Sequence, residues 1–218
     1  MSEKVNKYEM DMCRGPILKK MLIYAIPLMC SSILQLMFNA VDIVVVGKFA
    51  GDNSLAAVGS NTSIIGLITN LFVGLSVAAN VLVARFYGAK DEKALEQTVH
   101  TSMLLSLFSG IILSIIGVAG AKWILVLMQT PEDVLPLATL YLRIYFLGMA
   151  ATMIYNFGSA ILRGVGDTKR PLYFLFGAGI VNVILNLLFV IVFHMDTAGV
   201  ALATIISQSI SAVLVVLC

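Results

Sequence analysis

The chain has 218 residues, of which 60% are hydrophobic and 12% charged, with a mean hydropathy of +0.99 and a formal net charge of +2. A soluble domain carries about 45–50% apolar and about 25% charged residues, so this composition excludes one and points to an integral membrane protein. Its apolar runs approach or exceed the ~20 residues of a membrane-crossing helix and lack the strict alternation of barrel strands.

Residues 1–16 are polar and close on Gly15-Pro16, which predicts a cytoplasmic lead-in. The first 20 residues mix both signs of charge without an apolar core, so no cleavable signal peptide is expected. The first span is predicted from Ile17 or Met21 to Gly47, with a kink at Pro27. The second covers 54–84, and the charged stretch 85–93 reads as a loop. The third runs from Leu95 to Gly120, followed by a connection over 121–136 in which Trp123 reads as an interfacial anchor. The fourth covers 137–162, Arg163–Pro171 is a basic turn, the fifth covers 172–193 and the sixth Ala198–Cys218. The expected fold is therefore an all-α, polytopic lobe of six spans over 17–218.

The 14 Lys and Arg residues divide eleven to three between alternate ends of these spans. By the positive-inside rule both termini are expected in the cytoplasm, with the chain multi-pass in the cytoplasmic (inner) membrane. The sixth span stops at Cys218 without a Lys, Arg or polar tail. That reads as a cut end and predicts a missing second six-helix lobe, supplied by the same chain or by a second copy.

Asp42 is the one carboxylate inside a long apolar run, and an intramembrane acid is by default a functional candidate. Gln35, Asn39 and Asp42 are spaced i, i+4, i+7 and share a helix face. Asn182 and Asn186 do the same in the fifth span, and Thr204, Gln208 and Ser211 in the sixth. At a rise of about 1.5 Å per residue, Asp42, Asn186 and Thr204 each lie roughly 8–12 Å below the outer ends of their spans. A carboxylate, an amide and a hydroxyl in one slice predict an oxygen-rich site for Na+ or H+, with Asp42 and Asn186 as Na+ ligands. The plainer reading of each amide is an interhelical bond of about 1 kcal/mol or less. Arg143 is expected to reach the outer surface and not to pair with Asp42. Gly59, Ser63, Gly66, Asn70 and Gly74 predict a close-packing face on the second span.

Enzymatic readings find little support. His100 and His194 fall near opposite membrane faces, Cys13, Cys30 and Cys218 lack metal or disulfide spacing, and no Gly-Lys-Ser/Thr phosphate loop is present. No cofactor and no nucleic-acid partner is expected.

Gln35-Leu-Met-Phe-Asn-Ala-Val-Asp42, then Gly47 and Leu55-Ala-Ala-Val-Gly59, resembles the first-helix signature of the MATE (multidrug and toxic compound extrusion) transporters. Leu162-Arg-Gly-Val-Gly-Asp-Thr-Lys-Arg-Pro171 is similar to that family's turn between helices 4 and 5. Asn182-Val-Ile-Leu-Asn186 and Gly199-Val-Ala-Leu-Ala-Thr204 resemble its helix 5 and 6 motifs. The resemblance implies one lobe of a twelve-helix antiporter that exports cationic, often aromatic, small molecules against Na+ or H+ entry. It assigns Asp42 as the cation-responsive carboxylate, with Asn182, Asn186 and Thr204 around it. Asn156 matches a pocket amide of helix 4, and Gln35, Asn39 and Gln208 would line the substrate cavity. Some members carry a second aspartate where this sequence has Asn186. The alternatives are a lipid-linked glycan flippase of related fold and a non-transporting membrane scaffold or assembly subunit.

Overall fold

The computed structural model describes residues 17–218, and the lead-in expected over 1–16 lies outside the described residues. Helix α1 covers Ile17–Phe49, α2 Asp52–Ala89 and α3 Glu92–Leu127. Helix α4 covers Leu135–Leu147 and α5 Met149–Gly164. Helix α6 covers Lys169–Leu187 and continues into a π-turn over Leu188–Val192, and α7 covers Asp196–Val216. No strand occurs among the described residues. Five helices are each long and apolar enough to cross a bilayer, and α4 with α5, bent by 49°, make a sixth span when taken together.

Several helices run past their expected ends. The stretch 85–93 is almost all helix: α2 continues to Ala89 and α3 begins at Glu92. Lys90 stops α2 in the left-handed region at φ 57°, and the Asp91 carboxylate accepts from the Ala94 amide at 3.1 Å to start α3. Charge marks where the apolar slab ends, whereas capping chemistry marks where a helix ends. The same distinction carries α3 through Lys122 and Trp123 to Leu127, leaving Trp123 77% exposed. The basic turn is also shorter than expected. Asp167 accepts from the amides of Lys169 and Arg170 at 3.1 Å each, so α6 starts there and holds Pro171 in its first turn. Proline costs no hydrogen bond at that place, because a first-turn amide has no intrahelical partner.

The fourth span is broken at Gly148, between α4 and α5. Two asparagines of α2 grip the two pieces separately. Asn61 Nδ2 donates to the Ala138 carbonyl on α4 at 3.0 Å, and Asn80 Nδ2 donates to the Ala160 carbonyl on α5 at 2.7 Å. Both bonds give a polar amide group an interhelical partner that hydrocarbon would not supply.

Helix α3 packs on α4 and α5, α5 on α2 and α7, and α6 on α7 and α1. Close approach depends on small residues. A Cβ placed on Gly110 would lie 2.5 Å from the Cα of Ala150, so α3 and α5 meet backbone to backbone there. Gly179 on α6 makes room for the Phe38 ring of α1. Contrary to expectation, the Gly59–Gly74 stripe of α2 is not a packed face: a Cβ on Gly59, Gly66 or Gly74 would meet nothing within 4 Å. The buried side of α2 is instead formed by Ser54, Ala57, Val58, Asn61, Ser76, Ala79 and Val83. Residue size alone does not distinguish a helix-facing stripe from an open one.

Candidate functional site

Helices α1, α6 and α7 bring Asp42, Asn182, Asn186 and Thr204 into one polar cluster. The Asn186 side-chain amide donates to the Asp42 carboxylate and, at 3.1 Å, to the Asn182 carbonyl oxygen. Asn182 Nδ2 makes a long contact of 3.5 Å with the Thr204 hydroxyl, which itself donates to the Val200 carbonyl at 2.9 Å. A chain of contacts thus runs from α1 through α6 to α7. Helical spacing explains it: Asn182 and Asn186 are four apart, so they stack on one face and bond along it.

Burial is uneven across the cluster. Asn186 is fully buried and Asn182 nearly so, whereas Asp42 and Thr204 are half-buried. Within a turn of Asp42 along α1, Val45 and Val46 pack into an apolar cluster with Val58, Val190 and Val200. Tyr141 belongs to the same cluster and Tyr145 packs against it, two residues not expected at the site. Tyr141 and Tyr145 stack with ring centroids 6.3 Å apart and lie within electrostatic reach of Asp42. Their i, i+4 spacing in the fourth span was the available signal. Arg143, between them in sequence, is exposed and forms no ion pair with Asp42 among the described residues.

The donor set fits a hard monovalent cation or a proton. Asp42 supplies carboxylate oxygens, Asn182 and Thr204 supply a carbonyl and a hydroxyl oxygen, and Asn186 adds a buried Oδ1 with no hydrogen-bond partner among the described residues. An orphaned buried acceptor beside a carboxylate is what a cation, or a newly added proton, would satisfy.

The other sequence candidates do not join this cluster. Gln35 and Asn39 share a face of α1 with Asp42 but are exposed, so the inward turn expected of the whole stripe holds only at Asp42. The reason is packing: α1 leans chiefly on α6, which covers only part of its circumference. Asn156 is half-buried on α5 and has no part in the Asp42 hydrogen bonds. Gln208 is half-buried on α7, four residues beyond Thr204, with a buried Oε1 that lacks a partner among the described residues.

The family model MatE matches residues 27–188, a stretch that includes Asp42, Asn182 and Asn186. The chain belongs to the MatE family. Among curated MATE relatives, the "Probable multidrug resistance protein YpnP" of Bacillus subtilis is 32% identical over 201 residues, covering 92% of this chain and 45% of the relative. The "Probable multidrug resistance protein NorM" of Thermotoga maritima is 26% identical, with 90% and 43% covered. Solved MATE structures agree in fold. One described as MATE in complex with MaD3S superposes with a TM-score of 0.86 at 28% identity, over 93% of this chain and 45% of the other. A second, a Pyrococcus furiosus transporter of the MOP superfamily with a binding pocket of reversed polarity, superposes at 0.85, with 93% and 44% covered. This chain spans about half the length of the MATE proteins it matches.

Proposed function

We propose that this chain forms the N-terminal lobe of a cation-coupled antiporter, exporting cationic, often aromatic, drugs or toxic metabolites by alternating access. Na+ or H+ is the coupling ion and Asp42 its receptor, with Asn182, Asn186 and Thr204 as its immediate partners. The observation that carries this reading is the Asp42–Asn186 hydrogen bond beside an orphaned Asn186 oxygen, set between helices of membrane-crossing length. Multidrug resistance proteins among the relatives support the transport reading. Both chain ends lie in the cytoplasm and the lobe sits in the cytoplasmic membrane, as the eleven-to-three division of basic residues favours.

In this mechanism an ion arriving from outside neutralises Asp42. Neutralisation withdraws the charge that the Asn186 amide serves and that would hold a cationic substrate. Hydrogen bonding among α1, α6 and α7 rearranges, the substrate leaves, and the lobe pair returns to the inward state. Coupling requires that the ion bind the two states with different affinity. The open stripe Gly59–Gly74 of α2 and the exposed Asn39 face the central cleft shared with a second six-helix lobe.

Efflux of an ethidium-like dye by the full-length protein tests the proposal. Asp42→Asn is expected to abolish ion-driven export while leaving membrane insertion intact. Wild-type transport by that variant would contradict it.

A further inference from the structure

A second polar site lies apart from the Asp42 cluster, in a cavity between α1, α5 and the start of α6. Its volume is about 140 Å³, and its polar lining is Ser31, Ser32, Gln35, Tyr155, Arg163 and Thr168. Arg163 is the cation of that lining, and no Asp or Glu belongs to it.

Arg163 is held on two sides. Its Nε donates to the Ser159 carbonyl at 3.1 Å, and its own carbonyl accepts from the Tyr24 hydroxyl of α1 at 3.1 Å. Among the described residues its two Nη groups have no partner. The nearest acid in sequence is already committed. Asp167 accepts from the Lys169 and Arg170 amides through Oδ1 and pairs with Arg170 Nε through Oδ2 at 3.2 Å.

Most hydroxyl protons around the cavity are also engaged. Ser31 donates to the Pro27 carbonyl at 2.8 Å, Ser32 to Leu28 at 3.2 Å and Tyr155 to Pro171 at 3.3 Å. The open donors are therefore the Arg163 Nη pair and the Gln35 amide, contributed by α5 and α1, together with the Thr168 hydroxyl, which makes no capping bond at the start of α6. A guanidinium whose terminal fork is free and faces no carboxylate matches an oxyanion through paired N–H···O bonds. Donors arriving from two helices suit a tetrahedral group better than a planar one. Lys169, exposed at the start of α6 next to Thr168, adds positive charge nearby.

We propose that this cavity binds a phosphate group through Arg163, with Gln35 as the second donor, the phosphate being that of a lipid headgroup or of a small free phosphate. The site is independent of ion coupling at Asp42.

Native mass spectrometry and thermal shift of the purified full chain, titrated with phosphatidylglycerol or with inorganic phosphate, test it. Arg163→Gln is expected to weaken binding by about tenfold or more, the loss of a charge-assisted pair. Arg163→Lys is expected to recover only part, since an ammonium lacks the fork. Ser31→Leu, which narrows the cavity and leaves Arg163 in place, should weaken binding as well and serves if Arg163→Gln fails to fold. Lipid retention that resists excess inorganic phosphate identifies a headgroup, and saturable binding of inorganic phosphate alone identifies the free ion. Equal affinity of the wild type and all three variants for both probes would overturn the proposal, as would tighter binding of a planar carboxylate such as succinate.

Discussion

Asn186 of α6 donates its side-chain amide to the carboxylate of Asp42 on α1, tying together two helices 144 residues apart in sequence. The same amide group donates to Asn182, so a single nitrogen serves a charged and a neutral acceptor at once. Replacing Asn186 with Ala removes both bonds and the orphaned oxygen. A hydrogen bond to a charged group favours that charged form by roughly 1.5–3 kcal/mol. Without it the H+ concentration for half-maximal dye efflux should fall about tenfold or more, whereas loss of the Asn186 oxygen as a ligand would raise the Na+ concentration needed. An unchanged ion dependence would mean that Asn186 only joins helices.

Thr204 tests the far end of the chain of contacts. Its hydroxyl meets Asn182 at the long distance of 3.5 Å, so Thr204→Val should have a smaller effect than Asn186→Ala. The ratio of the two effects, measured in the same efflux assay, distinguishes a graded cluster from a set of equal ligands.

Gly110 offers a test of packing alone. Its neighbour is the backbone of Ala150, which cannot rotate aside as a side chain can. Gly110→Ala should therefore destabilise the bundle by about 1–3 kcal/mol through overpacking. Unfolding followed by the fluorescence of Trp123, the chain's one tryptophan, measures it. A neutral result would show that α3 and α5 separate freely.

The two clamps on the broken fourth span should also be separable. Asn61→Ala and Asn80→Ala each remove an interhelical bond to a different piece, α4 or α5, at a cost of about 0.6–2 kcal/mol apiece. Because the sites are far apart along α2, their effects on unfolding should add. Strong non-additivity would mean that the bend at Gly148 couples them.

Asp167 is 1% exposed and holds the start of α6 together. Asp167→Ala removes an ion pair and two capping bonds, with an expected loss of roughly 1–3 kcal/mol. Asp167→Asn keeps an oxygen for the amides and should cost less. The order of the two melting temperatures checks the assignment.

The apolar runs of this sequence determined the all-α, six-span class, because a bilayer sets the length of an apolar run and leaves no other way to satisfy its backbone. The same physics singled out Asp42, and the four-residue spacing of Asn182 and Asn186 set their shared face. Tertiary structure alone decided which polar stripes turn inward. Gln35, Asn39 and Asp42 lie on one face of α1, yet only Asp42 meets a partner on α6, since orientation depends on where neighbouring helices stand. It also decided that Tyr141 and Tyr145 stand near that acid, that the glycines of α2 lie open, and that the fourth span breaks at Gly148. Periodicity defines a face of one helix, but what that face meets is fixed by the packing of all of them.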